Sequence, residues 1–340
     1  MRCAALLSAL LLVLAGCGGV ISGPATESPE AEPSTTTPNK NVAVAGGELP
    51  FDAETVFQRV TNLTGERVDT PVVYVESPDE RPSPVLDRRR SGFRAALGIT
   101  PPDPNSSESL EFAAYVPDGS SVIVNEEAMD NESSTEATLA HEFVHIVQVQ
   151  RGWIDWVWDI DRDIPGGMDE DGRLTYRIVI EGVATHIEER YVAQYLPELD
   201  PDRSDRDNYV EGSAYERLNY APYYLGSAYI DDRVDSPEDL LKVHLYPPDS
   251  TEQVLHNSTD RIETMTVATT GMNNWTERER DRQGELFLRI ALRTELNRSA
   301  AVDAAHGWGD DRRITFSKHN RTATAWVLHW DDADNATEFE

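Results

Sequence analysis

The chain has 340 residues, 39% of them hydrophobic and 8% aromatic, which is enough for a sizeable core and excludes wholesale disorder. Its 61 acidic residues against 30 basic ones give a formal net charge of −31, which repels phosphate backbones and anionic headgroups and argues against a nucleic-acid partner. Lysine occurs only at Lys40, Lys242 and Lys318, a balance expected of a halophilic protein, because high salt screens the self-repulsion.

Met1-Arg2 followed by the apolar stretch Ala4 to Ala15 is too short to span a bilayer and reads as a signal peptide over 1–16. It ends at Leu14-Ala15-Gly16-Cys17, which resembles a lipobox. The expectation is lipidation at Cys17 and an extracytoplasmic, cell-surface chain anchored to the membrane by lipid. Cys3 is the only other cysteine, so cleavage leaves no disulfide and no cysteine-based metal site. Residues 17–48, rich in Pro, Ser, Thr and Gly, read as a disordered tether. Sequons at Asn62, Asn105, Asn131, Asn257, Asn274, Asn297, Asn320 and Asn335 make the exported chain a candidate glycoprotein.

The remaining 49–340 reads as one folded domain, divisible into lobes at 49–200 and 201–340. Helical spacing covers Asp52 to Leu63, Val72–Val75 reads as a strand, and Arg88 to Leu97 as a helix. Phe112–Val116 and Val122–Val124 read as strands joined through Pro117-Asp118-Gly119. Ser133-x-x-Glu136 predicts a capping box for a helix running to Gln150, with Gly152 as its stop. A second long helix is predicted over Leu174 to Leu196, then a middle region of helical and turn signals. Further on come a strand at Thr264–Ala268, helices at Gly284–Leu296 and Ala300–His306, and strands at Ile314–Ser317 and Ala323–His329. Strands followed by helices, without regular alternation, indicate an α+β fold.

The capped helix contains His141-Glu142-Phe143-Val144-His145. Positions i and i+4 share a helix face, so two imidazoles can bind one Zn²⁺ while Glu142 accepts a proton from water at the metal. Leu139, Phe143 and Val147 fall on another face and would bury the helix. A third ligand is expected from the second helix. Glu181 sits in the apolar run around Ile178, Val179, Ile180 and Val183, where an unpaired carboxylate is costly. His186 is its rival, and Gly182 would let the second helix approach the first closely.

At these residues the sequence resembles the gluzincin metallopeptidases: His141-Glu142-x-x-His145 is followed by Glu181-Gly182-x-Ala184. The likeness extends through Tyr223-Tyr224-x-Gly226, the segment Tyr246 to His256, Gly307-Trp308-Gly309-Asp310 and Trp330-Asp331. These segments are similar to exported zincin-like proteins of bacteria and haloarchaea, over most of 110–340. The resemblance implies a zincin-like domain: an antiparallel or mixed sheet, then the active-site helix, then a mainly helical second part. It also implies His141, His145 and Glu181 as zinc ligands and Glu142 as general base. The gap from His145 to Glu181 is longer than in thermolysin-like enzymes, and Thr185 stands where those enzymes often place an orienting Asp.

Other segments read as structural. Asp159, Asp161, Asp163 and Glu170 match positions 1, 3, 5 and 12 of a calcium loop, but Ile164 replaces the needed Gly, so a solvated loop is the better reading. Trp153, Trp156 and Trp158 read as packing residues, and His256, Tyr223 and Tyr224 as candidate oxyanion donors without a spacing argument. The sequence therefore points to a surface zinc metallopeptidase acting on a peptide or protein substrate. A non-catalytic surface protein of the same fold, or a zinc hydrolase of another bond, are the alternatives. If Val122–Val124 is a sheet edge, an extended peptide could add to it.

Overall fold

The computed structural model describes residues 41–77, 92–102, 113–129, 131–154, 168–200, 203–269 and 274–340. The segment expected to be a signal peptide, Cys17, and Asp159, Asp161 and Asp163 of the candidate calcium loop lie outside them, as do Trp156 and Trp158. Among the described residues no helix is long and apolar enough to cross a membrane.

The fold is mixed, with helices between and against two sheets. The first sheet contains β1 (Ala43–Ala45), β2 (Val72–Glu76), β3 (Ala114–Asp118) and β4 (Ser121–Asn125) in the order β1-β2-β4-β3. β1, β2 and β4 are parallel, and β3 runs antiparallel to β4. β1 falls inside the stretch expected to be tether. Val42 beside it is buried and donates its backbone N–H to Glu54 at 2.7 Å, so a short Val-Ala alternation pairs despite its polar surroundings. The β3–β4 hairpin closes at Gly119-Ser120, with Asp118 accepting from the Ser120 backbone at 2.8 Å. The condition that Val122–Val124 be a sheet edge is not met: β4 is paired on both sides, and among the described residues β3 holds the outer position.

α1 (Ala53–Thr64) connects β1 to β2, capped by Asp52 and stopped by Gly65, and α2 (Gly92–Ala96) is the described part of the helix expected over Arg88 to Leu97. α3 (Glu132–Gln150) packs against the sheet and α1. Its cap is Asn131, whose Oδ1 accepts from the Ser134 backbone, in place of the Ser133 box. Glu136 turns inward instead, accepting from Arg59 at 2.9 Å and Tyr191 at 2.5 Å. Leu139, Phe143 and Val147 are buried as expected, but so are His141, Glu142, His145 and Gln148 on the other faces.

α4 (Glu170–Tyr195), capped by Asp169, crosses α3 and packs along α6 (Ala214–Asp231). α5 (Arg203–Val210), α7 (Pro237–Leu245) and α8 (Thr251–His256) complete the helical middle. The close approach that Gly182 permits is to α6, not α3: a Cβ on Gly182 would lie 2.6 Å from the Gly226 carbonyl carbon. Two glycines back to back are what let these helices touch through their backbones.

The second sheet is an antiparallel meander of β5 (Thr276–Asp281), β6 (Trp308–Lys318) and β7 (Arg321–Trp330). α9 (Gly284–Leu292), α10 (Arg298–Ala305) and α11 (Ala333–Phe339) pack around it. The strand expected at Thr264–Ala268 is absent; the pairing strand is the charged β5, exposed except at Asp281. This unit holds the start of α4. Asp281 accepts from the Glu170 backbone at 2.9 Å, and the Asp171 N–H donates to the Arg282 carbonyl at 3.1 Å. Gly284, at φ +85°, lies so close to Asp171 that a Cβ would overlap its carboxylate.

Candidate metal centre

α3 and α4 bring His141, His145 and Glu181 together. One ligand atom from each lies within 4.8 Å of the others, and all three side chains are buried. Glu181 Oε2 is 3.5 Å from His141 Nε2 and 3.3 Å from His145 Nε2. Both Nε2 atoms, both Glu181 oxygens and Glu142 Oε2 are buried without a hydrogen-bond partner. Orphaned polar atoms are costly to bury, and a cation between them would satisfy the group at once. The three residues could hold a metal ion.

The far side of each imidazole is fixed. Glu188 Oε2 lies 3.0 Å from His141 Nδ1, and a carboxylate can only accept, so Nδ1 carries a proton and Nε2 is the ring nitrogen turned toward Glu181. Gln148 Oε1 does the same for His145 Nδ1 at 2.7 Å. Thr185, at the position where the resemblance would put an orienting Asp, has an unpartnered hydroxyl, and the orienting carboxylate comes from Glu188 instead. Sequence reasoning missed both Gln148 and Glu188. The available signal was a polar side chain on the inner face of a buried helix, three residues after His145 and seven after Glu181.

The electrostatics favour a cation. Burial opposes a charge on His141, but the neighbouring Glu181 and Glu188 carboxylates outweigh it and hold its pKa well above the usual imidazole value. Burial likewise opposes ionisation of Glu181, and the two histidines overcome it, holding the carboxyl down at about 2. Glu142 lacks such a partner, and burial pushes it up to about 7 against the pull of His145 and His141. Asp205 on α5 is pushed up to about 7 by burial and by Glu188.

Tyr223 from α6 stacks near His141, with ring centroids 5.9 Å apart. Burial and the Glu181 charge keep its phenol well above the usual value, hence protonated. Tyr224 turns to Tyr209, and His256 pairs with Glu285 at 2.9 Å, so neither joins this group. His186 is also separate: it is buried, 3.6 Å from Asp231, and burial lowers it to about 4. Glu170 is spent on Arg94 at 2.7 Å and on Arg173. Trp153 is core, its ring against His244.

Residues 271–340 match a family model described as a domain of unknown function (DUF8575). The match covers the second sheet with α9 to α11, and none of the three grouped side chains lies in it. No curated protein and no solved structure matches the chain.

Proposed function

We propose that the chain is an extracytoplasmic, lipid-anchored zinc metallopeptidase of zincin-like architecture. His141, His145 and Glu181 would hold the metal, and Glu142 would act as general base. The observation that carries this reading is the spacing of the ligand atoms. Two atoms bonded to one tetrahedral zinc at ~2.0–2.1 Å stand about 3.4 Å apart; the Glu181–histidine separations are 3.5 and 3.3 Å. A histidine–carboxylate set with one position left open is also the donor chemistry of catalytic zinc.

Bound there, zinc supplies Lewis-acid polarisation of the scissile carbonyl and acidifies water. Glu142, buried and with a free Oε2, takes the proton of the attacking water and returns it to the leaving amine. Glu188 and Gln148 keep the imidazoles in the binding tautomer. Tyr223, protonated and with its ring beside His141, would be the donor to the developing oxyanion. The Cys17 signal supplies the anchor and the surface location.

The test compares wild type with Glu142→Gln on a diverse set of unfolded peptides in molar salt. Neither histidine is touched, so the variant keeps its zinc while hydrolysis falls by about 10²–10⁴-fold. Stoichiometric zinc with no cleavage beyond that of Glu142→Gln would replace this reading with a non-catalytic surface protein.

A further inference from the structure

Gln148 and His244 stand behind the metal centre, and both are fully buried. The Gln148 Nε2 position lies 3.0 Å from the Ile180 carbonyl, beside Glu181. A carbonyl can only accept, so the amide's NH₂ must be there and its oxygen must face His145 Nδ1. That makes Nδ1 the donor and leaves His145 Nε2 with its lone pair.

The same reasoning runs inward from α7. His244 Nδ1 lies 2.7 Å from the Leu240 carbonyl, so Nδ1 donates and Nε2 accepts. His244 Nε2 is 3.4 Å from Gln148 Nε2 and is the acceptor for the amide's second N–H. Trp153 covers the ring, with centroids 4.9 Å apart, and burial lowers His244 to about 4, which keeps it neutral. Every hydrogen-bond direction from the Leu240 carbonyl to His145 Nε2 is thus set. Reversing one would oppose two donors or two acceptors in a dry interior.

We propose that His244 is a positioning residue: through Gln148 it locks His145 in the Nδ1–H tautomer and so sets the affinity of the centre for its cation. The inference rests on the metal-centre reading above. Ile180 satisfies only one of the two N–H groups of Gln148. Without His244 the other is a buried orphan, and the amide loses one of the three contacts that fix its orientation toward His145. The lock also joins three helices, with Gln148 on α3, Ile180 on α4 and His244 on α7.

Two measurements test it. Histidine ¹⁵N NMR of zinc-free wild-type protein at pH 7 should show His244 neutral in the Nδ1–H tautomer; a Nε2–H tautomer or a charged ring overturns the proposal. This readout needs no variant and so does not depend on a mutant folding. His244→Phe keeps the ring volume against Trp153 and removes both nitrogens. Its zinc affinity, read by competition with a chelating indicator, should fall by about 10–100-fold, the usual effect of losing an outer partner of a metal-bound histidine. Affinity within twofold of wild type overturns the lock while leaving the metal centre standing. No zinc binding by wild type overturns both.

Discussion

Replacing Gly182 with alanine tests the geometry on which the site depends. The new Cβ would lie 2.6 Å from the Gly226 carbonyl carbon and 2.7 Å from its Cα and oxygen. Ordinary carbon contacts begin near ~3.5 Å, so α4 and α6 must part by about 0.9 Å. Overpacking of this kind costs about 1–3 kcal/mol, which corresponds to a fall in Tm of several degrees for a domain of this size. The functional effect should be larger than the stability effect. Gly182 adjoins Glu181, and a metal site tolerates only about 0.2 Å of error in its bonds. A helix shift several times that size should weaken zinc binding by at least about tenfold. Thermal unfolding in chelator reads the first effect and zinc titration against a competing chelator the second. Gly182→Ala with Tm within about 1 °C of wild type and unchanged zinc affinity would refute the backbone contact between α4 and α6.

Two further outcomes follow from charge. Asp171 is fully buried, with one oxygen accepting from Thr251 and the other unpartnered, and burial pushes it up to about 7. Its folded-state pKa is raised, so its contribution to stability is present below about pH 4 and is lost as pH rises through about 7. Asp171→Asn should flatten that part of the stability–pH curve and stabilise the protein by a few kcal/mol at pH 8; an unchanged curve from chemical denaturation would contradict this. The net charge of −31 predicts that Tm climbs from physiological to molar salt, as the screening length falls from about 8 Å to about 3 Å. A flat salt dependence by calorimetry would remove the halophile inference.

The parts of the structure legible in the sequence were those where local signals and burial agree. α3 and α4 carried apolar runs long enough to mark them as core helices, and the histidine spacing put both imidazoles on one face. The β3–β4 hairpin was announced by its turn residues. β5 was hidden because an exposed strand reading Thr-Glu-Arg-Glu-Arg-Asp has no apolar alternation; only its ladder with β6 makes it a strand. The first half of β6 carries no strand signal because it contains Asp310 and Asp311, which are buried and satisfied from elsewhere in the chain. Asp311 alone accepts from the Gln283 and Gly284 backbones and from the indoles of Trp308 and Trp326. Gly182 signalled a close approach without naming the neighbour, because a glycine records that space is short and not what fills it. The orienting roles of Glu188 and Gln148 depend on which helices cross, a tertiary fact that no local pattern encodes.

The most direct measurement is the metal content of the purified chain, combined with X-ray absorption at the zinc edge, for wild type and Glu181→Ala. Wild type should carry one zinc per chain, bound by two imidazole nitrogens and a carboxylate oxygen at about 2.0–2.2 Å, and the variant should lose it or bind it markedly more weakly. Wild-type protein that stays metal-free in excess zinc, or full zinc retention with an unchanged absorption spectrum in Glu181→Ala, would contradict the proposed metal centre.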